Sequence, residues 1–355
     1  MRHNSSSRPA TTALASRRDA SRPTSVAGLL TALLLFVSLS DCVRSYSGAD
    51  PLAFSELPYA WPVRHVELPV AAEKFKLGSR AKVAVVELNP LGAQTVVFLH
   101  GLGSNLKFWS YQLEAFAKAG YRVIAFDQLG YGRSDKPADF PYTMEAMSDV
   151  VDETLGALGI EKATLVGHSM GGEVAMVTAL RYPQRVERLV LTSPAGFEAI
   201  SKREKVWFRQ VFSTTFVKSA TEYAIWGSVR GANFARWRPE LEWLIEERVR
   251  LAKSPEFDAY AYAQVRSVDG LAHNDFVRDN LAKIAAPTLV VFGEEDRLIP
   301  NPFLHGGSTR KVMEWGASQI PGAKLEGLKR CGHTVQMDCP DEYNPIVLGF
   351  LSGGG

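Results

Sequence analysis

Three side-chain types that together perform nucleophilic acyl transfer stand at chain positions where apolar runs end: Ser169, a carboxylate among Glu294, Glu295 and Asp296, and His333. A serine hydroxyl is a poor nucleophile near neutral pH. It needs a histidine to take its proton and a carboxylate to orient that histidine. Ser169 lies in Gly167-His168-Ser169-Met170-Gly171-Gly172, with glycines 167 and 171 in G-x-S-x-G spacing. The apolar run Ala163 to Val166 leads in, and Val174, Met176, Val177, Ala179 and Leu180 lead out at helical spacing until Tyr182-Pro183 stops them. This context predicts a tight strand-to-helix turn, with the hydroxyl exposed at its tip and unpaired helix N-terminal N–H groups beside it. Glycines on both sides let strand and helix pack closely.

The partners follow in the order serine, acid, histidine. Pro287 to Gly293 reads as a buried strand running into Glu294-Glu295-Asp296-Arg297, and Ala323 to Leu328 reads as a last strand followed by Cys331-Gly332-His333. Upstream, Thr95 to Leu99 is a strand run ending in His100-Gly101-Leu102-Gly103, a loop able to aim a backbone N–H at an oxygen that becomes negative during acyl transfer. Leu102 and Met170 are the expected oxyanion donors. Asp127-Gln128-Leu129-Gly130-Tyr131-Gly132-Arg133-Ser134 closes the strand run Arg122 to Phe126 and is expected to shape the same rim.

The joint occurrence of an H-G-x-G loop, D-x-x-G-x-G-x-S, G-H-S-M-G-G, G-x-x-D and C-G-H, in that order over roughly residues 60 to 350, resembles the serine-nucleophile branch of the α/β-hydrolase family. The resemblance implies an eight-stranded, mostly parallel α/β sheet with helices on both faces and an inserted helical cap. It also selects Asp296 over its two glutamate neighbours, because the family places its acid three residues after the strand-end glycine, here Gly293. By the same resemblance Ser169 is the nucleophile and His333 the base. His100 and His168 fall at positions that are structural or line the site, without proton transfer. His273 is expected to be a buried polar residue of the insertion or a substrate contact.

The chemistry expected is hydrolysis of a small-molecule carboxylic ester through an acyl-enzyme, without cofactor or metal. The chain has neither a G-x-x-x-x-G-K loop nor an H-E-x-x-H cluster. A carbon–carbon bond hydrolase is the nearest alternative. Those relatives carry a G-P-G-type loop after the H-G and a tryptophan after the catalytic histidine, where this chain has Gly103-Ser104-Asn105 and Thr334. A slow-turnover or non-catalytic small-molecule receptor is an alternative of another class, since one fold hosts many functions.

Strands alternating with helices near Leu106 to Ala119, Met144 to Leu158 and Thr309 to Ser318 argue for a parallel sheet covered on both faces, and 46% hydrophobic residues suffice for its core. A formal net charge of +2, with much of the excess base in the N-terminal tail, gives no sign of a nucleic-acid partner. The expected organisation is an export signal or membrane anchor over residues 1–40, a linker over 41–60, core over 61–197, helical cap over 198–286 and core over 287–352. Arg2, Arg8, Arg17, Arg18 and Arg22 precede the apolar run Val26 to Leu39, which falls short of the ~20 residues a spanning helix needs. The expected location is therefore exported: periplasmic, extracellular or membrane-anchored. Membrane association through this segment or a lipidated Cys42 stays open, although Asp41 departs from the small residue expected before such a cysteine. Cys331 and Cys339 either close a short loop around His333 in an oxidising compartment or repeat a family C-G-H with free thiols.

The cap region carries Trp207, Phe208, Val211, Phe212 and Phe216 at roughly helical spacing, then Tyr223, Trp226, Phe234, Trp237 and Trp243. These are expected to form the cap's own core, with some facing the cleft and favouring an apolar acyl or alkyl group. Arg203, Arg209, Arg230, Arg236 and Arg238 are expected on a solvated face.

Overall fold

The computed structural model describes residues 44–79, 81–273 and 275–353. The expectations for residues 1–40, for Cys42 and for the first three residues of the 41–60 segment lie outside them.

Eight strands form one sheet: β1 (Val63–Glu67), β2 (Lys82–Leu88), β3 (Thr95–Leu99), β4 (Arg122–Phe126), β5 (Ala163–His168), β6 (Val186–Thr192), β7 (Thr288–Gly293) and β8 (Lys324–Leu328). Their order is β1-β2-β4-β3-β5-β6-β7-β8. The β1–β2 and β2–β4 pairs are antiparallel and the rest parallel. Parallel strands need crossover helices, and here those cover both faces, so the central strands are apolar throughout. Alternation still sorts their side chains. Val97, Leu99, Ile124, Phe126, Leu189, Leu191, Val290 and Phe292 enter one core layer, while Val96, Phe98, Val123, Ala125, Val190, Leu289 and Val291 enter the other.

The helices of the core are α1 (Pro69–Lys74), α2 (Ser110–Lys118), α3 (Met144–Ala157) and α4 (Met170–Arg181). The Thr143 hydroxyl accepts from Ala146 N at 3.2 Å and fixes the start of α3. Between β6 and β7 the chain inserts α5 (Lys202–Val211), α6 (Thr214–Lys218), α7 (Glu222–Trp226), a π-helical turn (Gly227–Ala232), α8 (Trp243–Leu251), α9 (Phe257–Ala272) and α10 (Asp275–Asn280). Helices α11 (Thr309–Gln319), α12 (Val335–Asp338) and α13 (Pro340–Leu351) complete the chain.

Three expectations change. The described part of the 41–60 segment is packed rather than a free linker: Tyr46, Leu52, Phe54 and Leu57 are buried, Leu52 N donates to Arg250 O, and Phe54 N donates to Glu256 Oε2 at 2.8 Å. Four apolar side chains in twelve residues bury enough surface to hold that segment against the insertion. The aromatic residues of the insertion divide into two sets. Trp226 and Phe234 are buried with Val229, Leu241, Leu244 and Ile245, whereas Phe216, Val211 and Tyr223 are exposed. The arginines are not uniformly solvated. Arg236 donates to Cys339 Sγ at 3.0 Å and to Arg330 O, Arg238 donates to Met337 O, and Arg230 lies 4.7 Å over the Trp226 ring.

Candidate active site

Ser169 joins β5 to α4 with φ 51° and ψ −117°, a conformation costing on the order of 1–3 kcal/mol that neighbouring packing must hold. The packing is visible at the glycines. A Cβ on Gly171 would lie 2.2 Å from Leu99 O, and one on Gly167 would lie 2.2 Å from Gly171 O, so strand and helix meet backbone to backbone. Ser169 N donates to Thr192 O, and Ser169 O accepts from Gly172 N, Glu173 N and Ala195 N. The side chain is left half-exposed at the carboxyl edge of the sheet.

Asp296 and His333 follow β7 and β8 and meet at that edge. His333 Nδ1 lies 2.7 Å from Asp296 Oδ2, with the two side chains 5% and 0% exposed. Asp296 Oδ1 accepts from Leu298 N at 2.8 Å and Ile299 N at 3.1 Å, which fixes the carboxyl plane and leaves Oδ2 for the imidazole. A proton on Nδ1 leaves Nε2 as the acceptor. Glu294 is ion-paired with Arg310 and Glu295 is exposed, so neither competes for His333.

The loop after β3 lies against the serine: a Cβ on Gly101 would come 3.2 Å from Ser169 Cβ. The Leu102 and Met170 N–H groups donate to no group among the described residues, and Met170, as the first residue of α4, has no intrahelical partner. Both N–H groups are thus open to an acceptor, and Met170 stands at the positive end of α4.

His100 and His168 are supports. Gln128 N donates to His100 Nε2 at 3.1 Å, and His100 Nδ1 lies 2.8 Å from Gly101 O; burial lowers this imidazole to about 4, so it stays neutral. His168 Nε2 lies 3.1 Å from His333 O and the two rings are 4.8 Å apart. Burial and the neighbouring His333 hold His168 well below the ordinary value, which fits a neutral N–H donor carrying the His333 backbone. His273 corrects the expectation for it: it is exposed at the end of α9, against Asp269 O and Arg209.

Several residues shaping the site, Asp338, Asn233, Arg248 and Tyr260 among them, had no sequence signal, whereas Asp127 and the two cysteines did. Asp338 accepts from Gly332 N at 2.7 Å, Ala235 N at 2.7 Å and Arg236 N at 3.2 Å, tying the His333 loop to the insertion. Thr334 N donates to Asn233 O. Cys331 and Cys339 are joined in a disulfide that brackets His333, settling the pairing left open above. On the opposite side, Arg248 Nη2 and Tyr260 OH both donate to Gly103 O, at 3.0 and 3.2 Å, and Lys107 pairs with Glu247 at 2.6 Å. Asp127 accepts from Leu106 N, Arg133 N and Tyr59 OH; burial raises its carboxyl to about 6. Among the described residues one group of potential metal ligands, Cys331, Cys339 and Glu342, comes together, and its two sulfurs are consumed by the disulfide.

An activatable serine at a strand–helix turn, an acid-oriented imidazole and two free N–H groups at one edge of a parallel sheet define a class. The chain belongs to the alpha/beta hydrolase fold family, whose model matches residues 94–340. It is 30% identical over 280 residues to a 2-hydroxy-6-oxononadienedioate/2-hydroxy-6-oxononatrienedioate hydrolase from Paraburkholderia phymatum, covering 73% of this chain and 88% of that protein. Among solved structures it is similar to a probable hydrolytic enzyme from Pseudomonas aeruginosa, with TM-score 0.74, 26% identity and coverage of 86% of this chain and 98% of the other. It is also similar to an esterase from Exiguobacterium antarcticum, with TM-score 0.64, 25% identity and coverage of 76% and 96%.

Proposed function

We propose that the protein is a serine hydrolase cleaving a bond to a carbonyl carbon, and that this bond is carbon–carbon, next to the ketone of an unsaturated oxo-acid. The observation carrying the serine mechanism is the buried 2.7 Å contact of His333 with Asp296, at the sheet edge where Ser169 stands half-buried on its turn. The choice of bond rests on the 30% identical relative. Its named substrate contains ketone, enol and carboxylate groups but no ester or amide, so water can divide that molecule only by breaking a carbon–carbon bond.

Ser169 Oγ attacks the ketone carbon and its proton passes to His333 Nε2. The oxyanion is held by the Leu102 and Met170 N–H groups. Collapse breaks the carbon–carbon bond, and the leaving carbon takes the proton from His333. Water activated by the same imidazole then frees the acid from Ser169. Asp296 keeps the imidazole in the tautomer both steps need.

Hydrolysis of a carboxylic ester with an apolar acyl or alkyl group is the second reading. It is favoured by Thr334 where the carbon–carbon hydrolases carry tryptophan, and by the similarity to an esterase structure. The steps are shared and only the leaving atom differs. A disulfide at the site supports an exported, oxidising location. The deciding experiment compares initial rates on a 2-hydroxy-6-oxo-dienoate and on aryl esters from acetate to palmitate. Faster Ser169-dependent turnover of the dienoate supports the first reading. Turnover of esters alone replaces it with the second, and tight retention of a small molecule without turnover would favour a receptor.

A further inference from the structure

We propose that the segment Tyr46 to Tyr59 belongs to the catalytic apparatus, with Phe54 as a positioning residue that holds the loop His100 to Leu106 through the ring of Tyr260. The proposal rests on the serine mechanism above and is the same for either bond.

The loop that carries Leu102 is gripped from outside at two places. Arg248 and Tyr260 donate to Gly103 O, and Leu106 N donates to Asp127 Oδ1 at 2.8 Å. A hydroxyl or a carboxylate fixes a loop only as firmly as its own side chain is fixed.

The segment stands behind both grips. Phe54 is 1% exposed, and its ring lies 4.9 Å from the Tyr260 ring, centroid to centroid. Leu52, Leu57 and Leu251 are buried around the pair, so the face of Tyr260 is closed and its hydroxyl is held toward Gly103 O. At the second grip, Tyr59 OH donates to Asp127 Oδ2 at 2.8 Å, leaving Oδ1 for Leu106 N. One stretch of chain, with Phe54 and Tyr59 five residues apart, thus reaches both ends of the same loop.

The segment is in turn fastened between the two helices that reach Gly103. Lys253 Nζ donates to Tyr46 O at 3.2 Å and to Ser47 O and Ala49 O at 2.7 Å, which uses all three donors of the ammonium. Leu52 N donates to Arg250 O, and Phe54 N donates to Glu256 Oε2 at 2.8 Å. Lys253 and Glu256 lie between α8, which carries Arg248, and α9, which carries Tyr260. Burial of Leu52, Phe54 and Leu57 by itself would stabilise the fold without directing any group at the loop. The contacts of Phe54 with Tyr260 and of Tyr59 with Asp127 give the segment a further, catalytic consequence.

The test uses three full-length variants. Phe54→Leu keeps a buried apolar side chain but loses the ring face, Tyr59→Phe loses one hydroxyl, and Leu155→Ala removes buried surface from α3 as a control for stability alone. Each is assayed while folded by circular dichroism, for turnover of whichever substrate the wild type cleaves and for labelling of Ser169 by a fluorophosphonate. In labelling, Ser169 Oγ bonds to phosphorus, fluoride leaves and the serine proton passes to His333, while the phosphoryl oxygen takes the oxyanion position. Phe54→Leu should slow labelling and kcat about tenfold with KM changed less than about twofold, short of the 10²–10³ lost when an oxyanion donor is removed outright. Tyr59→Phe should slow both about threefold, and Leu155→Ala should label as the wild type does. Amide exchange over residues 100–106 should rise in Phe54→Leu and stay unchanged in Leu155→Ala. Tyr59→Phe decides alone if Phe54→Leu does not fold. Variants of Phe54 and Tyr59 that label at the wild-type rate, or that change only KM, overturn the proposal and leave the segment a packing element. A wild type that is not labelled at Ser169 refutes the serine mechanism and the proposal with it.

Discussion

Ser169 adopts a backbone conformation few non-glycine residues hold, and its side chain is thereby presented at the sheet edge instead of being buried in the turn. Removing the hydroxyl changes little else. Ser169→Ala is expected to lower turnover at least about a thousandfold with unchanged folding, read from initial rates and a denaturation curve. Asp296 acts on His333 alone, and its remaining oxygen is committed to two backbone N–H groups. Asp296→Asn should therefore preserve the loop but present the imidazole in the wrong tautomer, costing about 10⁴-fold in kcat. Glu295→Gln, at an exposed neighbour, should leave the rate unchanged. Equal losses for the two variants would refute the assignment of Asp296.

The elements of the insertion act on the site through two loops. Arg248 from α8 and Tyr260 from α9 converge on Gly103 O and so brace the loop that carries Leu102, whose own peptide is held at Gly101 O by His100 Nδ1 and Ser104 N. Arg248→Ala is expected to lower kcat about tenfold with a smaller change in KM, since a misdirected donor is felt mainly in the transition state. Arg248→Lys, which keeps a donor, should recover part of the loss, and a pure KM effect would instead place Arg248 in substrate binding. On the other side the disulfide closes a short loop around His333. The Cys331→Ala/Cys339→Ala variant should lose about 2–3 kcal/mol in chemical denaturation by the loop-entropy argument, together with activity, as the base loses its restraint. Retained stability and rate would show that Asp338 and Asn233 hold the loop unaided.

Stability of the folded body against pH reflects buried groups pulling in opposite directions. His100 is lowered by burial from 6.5 to about 4, so its contribution is complete above pH 6.5 and lost as pH falls through about 4. Asp127 is raised by burial from 3.8 to about 6, so its contribution is complete below pH 3.8 and lost as pH rises through about 6. The two windows overlap and largely offset. His100→Gln keeps a donor for Gly101 O and an acceptor for Gln128 N but cannot be protonated. In this variant the His100 term disappears, and stability measured by urea denaturation should fall by up to about 3 kcal/mol between pH 4 and pH 6.5 relative to the wild-type trend. Parallel trends for the two proteins would show that His100 does not titrate in this way.

The parallel core and the positions of Ser169, Asp296 and His333 were legible in the linear chain because each depends on a local rule. Apolar runs mark buried strands, glycines mark a tight turn, and a reactive side chain follows at a fixed offset. Choosing Asp296 from its glutamate neighbours needed the family pattern, and three dimensions add the reason: only Asp296 is turned inward, with two backbone N–H groups to hold it. Nothing local announced the grip of Arg248 and Tyr260 on Gly103, of Asp338 on Gly332, or of His168 on the His333 carbonyl. Each joins residues more than a hundred positions apart or, for Asp338, depends on where the insertion folds back. The packing of Tyr46 to Leu57, read from its prolines and glycine as a linker, was likewise decided by apolar surface that the insertion offers only once folded. Local spacing specifies which atoms can react, whereas their alignment belongs to contacts between distant segments, which sequence periodicity does not encode.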